Sequence, residues 1–222
     1  MTQAVWTEVD RYFTERVVGS DPALDGALAA SNAAGLPEIQ VAPNQGKLLQ
    51  LMAQIRGARR ILEIGTLGGY STIWLARALP HDGRLVTMEY DRRHAEVARA
   101  NIARAGLADR VEVRVGAALD LLPALARERP EPFDLTFIDA DKQSNTEYFR
   151  WALRLSRVGS VIIVDNVVRG GRVTDPNSDD PSVVGTRRLF DALAAEPRVT
   201  ATAIQTVGSK SYDGFAMAVV IS

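Results

Sequence analysis

The sequence predicts an α/β protein: a mostly parallel sheet with helices on its faces, a helical extension at the N-terminus and an antiparallel strand pair closing one edge. Three observations carry this reading. From Arg60 onward, short β-rich runs alternate with helical stretches, and each run ends where Gly or acidic residues appear. Alternation at this spacing implies βαβ units with right-handed crossovers. The last two apolar runs, Val199 to Thr206 and Phe215 to Ile221, are joined by too short a polar link to hold a crossover helix, so they pair antiparallel.

In chain order, Val5, Val9, Tyr12, Phe13 and Arg16 share one helical face, and residues 22–34 are Ala-rich with Asp21 placed to cap them. Asn44 precedes Leu48, Leu51, Met52 and Ile55, a match to the i, i+3, i+4, i+7 spacing of an amphipathic helix. Expected strands follow at Arg60 to Ile64, Arg84 to Tyr90, Val111 to Val115, Phe133 to Asp139 and Ser160 to Asp165. Expected helices lie near Ser71 to Leu79, Arg92 to Ala105, Ala117 to Glu128 and Ser144 to Arg157. Ser144 and Glu147 have the spacing of a capping box, with Tyr148, Trp151, Ala152 and Leu155 as that helix's buried face. Residues 167–182, rich in Gly, Pro and Asp, break the alternation and are a candidate lid before a helix near Val183 to Ala195. No repeat or linker divides the chain, so one domain is expected, with helices over 1–57 and an α/β core over 58–222.

Composition bounds the function. Of 222 residues 46% are hydrophobic and 24% charged, too apolar for a disordered chain. At this length a single core buries about 70% of the unfolded surface. With 26 Lys and Arg against 27 Asp and Glu, the chain lacks the basic excess of a nucleic-acid footprint. It has no cysteine, which removes disulfides, thiolate nucleophiles and zinc–thiolate sites together. Charged residues near the start and the absence of a long apolar run predict neither signal peptide nor membrane span, and the expected location is the cytoplasm.

The first strand runs into Glu63-Ile64-Gly65-Thr66-Leu67-Gly68-Gly69-Tyr70-Ser71 and then a helix. Ligands of open α/β sheets bind beyond the carboxyl ends of the strands, where glycines admit close backbone approach. The turn lacks the second glycine of G-x-G-x-x-G, which disfavours a dinucleotide and hence a nicotinamide dehydrogenase. Glu89 ends the second strand 24 residues past Gly65, near where an acid accepts from ribose hydroxyls. These features suit a nucleoside ligand without a pyrophosphate, such as S-adenosylmethionine; equally, they suit a tight strand–helix turn with a surface Glu.

Asp139 ends the fourth strand and Asp165-Asn166 the fifth, 26 residues apart in sequence but neighbours at the sheet's carboxyl edge. Two carboxylates and an amide carbonyl are hard oxygen donors suited to Mg²⁺ or Ca²⁺ rather than Zn²⁺. Acids at strand ends also cap loops, which is the alternative here.

Leu62 to Ser71, Phe137-Ile138-Asp139-Ala140-Asp141-Lys142 and Asp165-Asn166, in this order, resemble the cation-dependent O-methyltransferases of the catechol and caffeoyl-CoA type. The resemblance spans roughly residues 37 to 221. It implies a Rossmann-like class I methyltransferase fold, with seven strands and the last inserted antiparallel. It also implies S-adenosylmethionine as methyl donor, a small phenolic acceptor and a homodimer. Carried over by position, Glu63, Gly65 and Ser71 would contact the methionine part of the donor, Glu89 its ribose, and Ala117 the adenine pocket. Ile39 and Val41 would line the mouth of the donor site. Asp139 would serve both donor and metal, with Asp165 and Asn166 completing a site for Mg²⁺, or Mn²⁺ or Ca²⁺, and Lys142 would be the general base. A lysine acts as a base only once deprotonated, and unperturbed it holds its proton to about 10.4; paired with Asp141 it would be a surface ammonium instead.

The chain departs from many relatives after Asp165-Asn166, reading Val167-Val168-Arg169-Gly170-Gly171 where an aromatic residue often covers the acceptor. Arg169 and Arg172 read as solvated, Tyr148 and Trp151 as helix core, and Tyr212 as either turn or acceptor wall. His81 lies in a turn, and neither it nor His94 is expected near the acids. Two other readings stay open: a metal-independent methyltransferase, and a donor-binding module without turnover.

Overall fold

The computed structural model describes residues 2–128 and 131–222. Three helices come first: α1 (Gln3–Phe13), continued by a π-helical turn (Thr14–Val18), α2 (Pro22–Ala33) and α3 (Pro43–Arg56). The alternating core follows as β1 (Arg60–Ile64), α4 (Tyr70–Arg77), β2 (Arg84–Glu89), α5 (Arg92–Arg104), β3 (Val111–Val115), α6 (Ala118–Arg127) and β4 (Phe133–Ile138). A 3₁₀ turn (Lys142–Ser144) leads into α7 (Asn145–Arg154), β5 (Ser156–Asp165), a second 3₁₀ segment (Arg169–Thr174), α8 (Pro181–Ala195), β6 (Val199–Gly208) and β7 (Ser211–Val220).

The seven strands are ordered 3-2-1-4-5-7-6, with β7 antiparallel between β5 and β6 and the remaining neighbours parallel. The chain winds outward from β1 in one direction and from β4 in the other. The crevice between the carboxyl ends of these two strands is therefore a topological switch point.

Side-chain alternation splits the core, with a register shift in β4 between Phe133 and Leu135. Ile61, Leu85, Leu135, Phe137 and Ile163 face α2 to α5, whereas Leu62, Ile64, Val86, Met88, Ile162 and Val164 face α6 to α8. Leu24, Ala27, Leu49 and Ala53 belong to the first of these layers, so α2 and α3 of the extension are part of the core, whereas α1 buries no apolar side chain. Each large side chain fully buried in this way contributes about 1.5–3 kcal/mol.

The structure corrects several local readings. Asp21 caps α2 by accepting from Ala23 N–H (3.0 Å) and Leu24 N–H (3.1 Å) as expected, but Ser144 makes no side-chain cap to α7. That helix stops at Arg154, and β5 begins at Ser156, because Gly159 (φ +86°) and the Ser160 Oγ bond to Phe133 O let the strand bulge and start early. In α3 the stripe is split: Met52 packs against the core and Leu51 and Ile55 are exposed, while Gly46, Leu49 and Ala53 are the buried residues. Hydrophobic spacing identified the helix but not which side it turns inward. Residues 167–182 are not a free loop throughout: Val167 and Val168 are buried, and Asp213 Oδ1 accepts from the Val168 (2.9 Å) and Arg169 (3.0 Å) amides. Among the described residues no helix is long and apolar enough to cross a membrane.

Candidate active site

A cleft of about 870 Å³ opens at the switch point. One wall is the turn after β1. Gly65 adopts φ +98°, and a Cβ there would run into the Asp139 carbonyl oxygen, so only glycine lets the first and fourth strand ends sit this close. The Gly65 amide donates to Met88 O (2.9 Å) and the Asp139 amide to Ile64 O (2.8 Å), which extends the ladders into the cleft wall.

Of the residues assigned to a donor, Ile39, Val41, Gly65, Ser71, Glu89, Ala117 and Asp139 all line this cleft. Ile39 is exposed at its mouth, and Val41 is buried at its base. Glu89 is held by three backbone amides: Oε2 accepts from Thr66 (3.1 Å) and Leu67 (2.7 Å), and Oε1 from Asp91 (2.9 Å). The carboxylate thus anchors the glycine turn while keeping lone pairs for the cleft. His94 Nδ1 lies 3.6 Å from Glu89 Oε1, and the ring lines the cleft beside that carboxylate.

Glu63 is the correction within this set. It is 0% exposed and lies behind the wall, where it accepts from Ser71 Oγ (2.7 Å), Thr72 Oγ1 (2.5 Å) and Thr87 Oγ1 (2.7 Å). Burial outweighs these bonds and pushes its carboxyl up to about 7. Glu63 therefore orients Ser71 and the start of α4, and Ser71 is the one that reaches the cleft.

At the far end, Asp139 and Lys142 line the cleft together, with Lys142 Nζ 2.7 Å from Asp139 Oδ1. Lys142 is not a surface ammonium on Asp141: it is 8% exposed, and Asp141 Oδ1 instead accepts from the Tyr148 hydroxyl (2.5 Å). Tyr148 packs its ring into the core as expected, but its hydroxyl comes out at the cleft, and burial with the neighbouring Asp141 charge raises its pKa. Arg169, read as solvated, also lines the cleft, whereas Arg172 is exposed and pairs with Asp180.

Asp165 is 4% exposed and borders a second cavity of about 220 Å³; Asn166, in a left-handed conformation (φ +57°), lines both cavities and joins them. Burial and the Asp139 charge push the Asp165 carboxyl up to about 7. Two carboxyls that disfavour each other's charge, with an amide carbonyl between the cavities, fit a hard divalent cation, whose charge would remove that conflict. Among the described residues no three His, Cys, Asp or Glu side chains gather into a metal cluster, so beside these two carboxyls a third side-chain donor could come only from a residue such as Asn166. Sequence reasoning missed Gln45, whose Nε2 donates to Asp165 Oδ2 (2.8 Å). Nothing in the spacing along the chain marks it.

The sheet order, the inserted antiparallel strand and the cleft over the carboxyl edge define a Rossmann-like fold of the methyltransferase class. The O-methyltransferase family profile matches residues 21–218, and the chain belongs to that family. A catechol O-methyltransferase of Mycobacterium tuberculosis is 58% identical over 213 residues, 96% of this chain and 95% of the relative. Another, from Niastella koreensis, is 54% identical over 220 residues, 99% of this chain and all of the relative. The crystal structure of an O-methyltransferase from Bacillus cereus in complex with SAH superposes with a TM-score of 0.98 at 60% identity, covering 99% of this chain and 100% of that one.

Proposed function

We propose that this enzyme transfers a methyl group from S-adenosylmethionine to a hydroxyl of a small catechol-like acceptor, at a site completed by a divalent metal. The observation that carries this reading is the meeting of Asp139, Asn166 and Lys142 at one cleft, with the buried Asp165 carboxyl near enough to feel the Asp139 charge. The catechol O-methyltransferases among the relatives, and the SAH-bound structure, support it.

Ile39, Val41, Gly65, Ser71, Glu89 and Ala117 would bind the donor, with Glu89 facing the ribose hydroxyls. Asp139, Asp165 and Asn166 would hold Mg²⁺, or Mn²⁺ or Ca²⁺. A cation there supplies stabilisation of a bound phenolate, lowering the hydroxyl pKa as it does for bound water. Lys142 Nζ, now on Asp139 Oδ1, is the group we assign to take the phenolic proton, a role open to it only as the neutral amine, which a cation drawing Asp139 away from it would favour. The enclosed walls hold donor methyl and acceptor oxygen in line, an effect that supplies about 7–11 kcal/mol.

We also propose a homodimer with residues 1–222 acting as one domain. Val5, Val9, Tyr12 and Phe13 of α1, Leu51 and Ile55 of α3, and Ile204 and Val207 of β6 are exposed. α1 packs beside β6 and its π-helical turn beside α3, so these side chains lie on adjoining elements. An apolar area of this kind suits a second copy.

The test is turnover of labelled S-adenosylmethionine with catechols, flavonoids and phenolic CoA esters, with Mg²⁺ and with EDTA. Methylation of a vicinal diphenol only in the presence of metal is expected, with Asp165→Ala inactive yet still binding donor. Turnover that survives EDTA and Asp165→Ala overturns the metal reading, and no turnover on any acceptor overturns the catechol reading.

A further inference from the structure

A carboxylate that serves a cation must keep one orientation, and two contacts constrain Asp165. The Asn166 backbone amide donates to Oδ1 at 2.9 Å, and Gln45 Nε2 donates to Oδ2 at 2.8 Å. The first comes with the local backbone. The second comes from α3, 120 residues away in sequence, and is held by a chain of its own. The Gln45 backbone N–H donates to Asn44 Oδ1 (2.9 Å), Asn44 Nδ2 donates to Asp10 Oδ1 (2.8 Å), and Asp10 Oδ2 accepts from the Ser209 backbone N–H (2.7 Å), so the chain fixes the backbone from which the Gln45 side chain reaches out. Gly46 sits against Trp74 so closely that a Cβ would run into the indole, which keeps the start of α3 from sliding. The N-terminal helix, the β6–β7 turn and the start of α3 are thereby tied to one oxygen of Asp165.

We propose that Gln45 is a positioning residue of the metal site, fixing the Asp165 carboxylate, and that Asp10 and Asn44 hold Gln45 in place. The inference rests on the metal reading above. With both oxygens tethered, Asp165 is already in one rotamer before a cation arrives. Without Gln45, Oδ2 of the buried Asp165 loses its side-chain donor and the carboxylate is free to turn. Loss of an outer-shell partner of this kind weakens metal affinity about 10–100-fold. A merely structural role, pinning α3 to the sheet, would lower stability and donor affinity instead.

The experiment compares full-length wild type, Gln45→Met, which keeps the shape and removes the donor, and Asp10→Ala. Mn²⁺ affinity is read by electron paramagnetic resonance, SAH affinity by calorimetry, and melting temperature in EDTA. Gln45→Met is expected to bind Mn²⁺ about 10–100-fold more weakly, with SAH affinity and melting temperature close to wild type, and Asp10→Ala to shift Mn²⁺ affinity in the same direction by less. Unchanged Mn²⁺ affinity in a folded Gln45→Met overturns the proposal, as does a parallel fall in SAH affinity and melting temperature. Should Gln45→Met not fold, Gln45→Asn, one methylene short of Asp165, is read by the same criteria. Wild type that binds SAH but no Mn²⁺ removes the metal reading itself, and this inference with it.

Discussion

Glu63→Gln separates charge from hydrogen bonding at a fully buried carboxyl group behind the cleft wall. Glu63 has no exposed surface and takes hydroxyl bonds from Ser71, Thr72 and Thr87. Burial still dominates, so the folded protein holds this proton up to about 7, against an ordinary value of 4.5. The unfolded chain releases it near 4.5. Between these values the unfolded state binds fewer protons than the native one, and stability falls as pH rises through that window. The gap amounts to about 3 kcal/mol lost between pH 4.5 and 7.5. Glutamine does not titrate, and the three hydroxyls can turn to meet its carboxamide. Wild type and Glu63→Gln should therefore be similar in stability at pH 5, with the variant more stable at pH 8 by up to about 3 kcal/mol. Urea unfolding at the two pH values, in EDTA, measures the difference. Asp165, also raised to about 7, keeps its own slope in both proteins, so the difference between the two slopes is the readout. Equal pH slopes, or a variant less stable at pH 8, would refute burial as the dominant influence on Glu63.

Three further outcomes follow from the geometry. Gly65→Ala places a Cβ against the Asp139 carbonyl at φ +98°; it should cost at least about 1–3 kcal/mol and weaken SAH binding, and an unchanged melting temperature and SAH affinity would contradict the close approach. Tyr148→Phe deletes the 2.5 Å hydroxyl bond to Asp141; a loss of about 1.5–3 kcal/mol is expected for a bond to a charged group, and denaturant unfolding that shows none would mean the bond is not formed. Leu51→Asp with Ile55→Glu should convert the proposed dimer to a monomer by sedimentation, and a wild type that already sediments as a monomer would end that proposal.

Much of the fold was readable from local pattern. The strand ending in Ile64, the Asp21 cap and the closing hairpin each depend on residues close in sequence, where alternation, capping and link length act directly. The misreadings share a cause. Ser144 looked like a cap, but its backbone lies in a 3₁₀ turn that continues into α7. The stripe from Leu48 to Ile55 has amphipathic spacing, but Leu51 and Ile55 are exposed and α3 packs on α4 through the side of Gly46, which lies against Trp74. Glu63 and Glu89 both lie near strand ends, yet Glu63 is buried and only Glu89 lines the cleft, because Glu63 is level with Thr87 and Glu89 stands two residues further toward the carboxyl edge, an offset that the pairing register sets.

By itself, the sequence determined the α/β class, the glycine turn, the acids at strand ends and the absence of thiol ligands, since all of these are properties of residue type and short-range spacing. Only the tertiary structure decided which oxygens meet. Lys142 pairs with Asp139 rather than its neighbour Asp141, Tyr148 takes Asp141, and Gln45 reaches Asp165 across 120 residues. Those pairings follow from where the sheet's register and the faces of α3 and α7 place each side chain, and the directions needed to make a hydrogen bond are not encoded in any spacing along the chain.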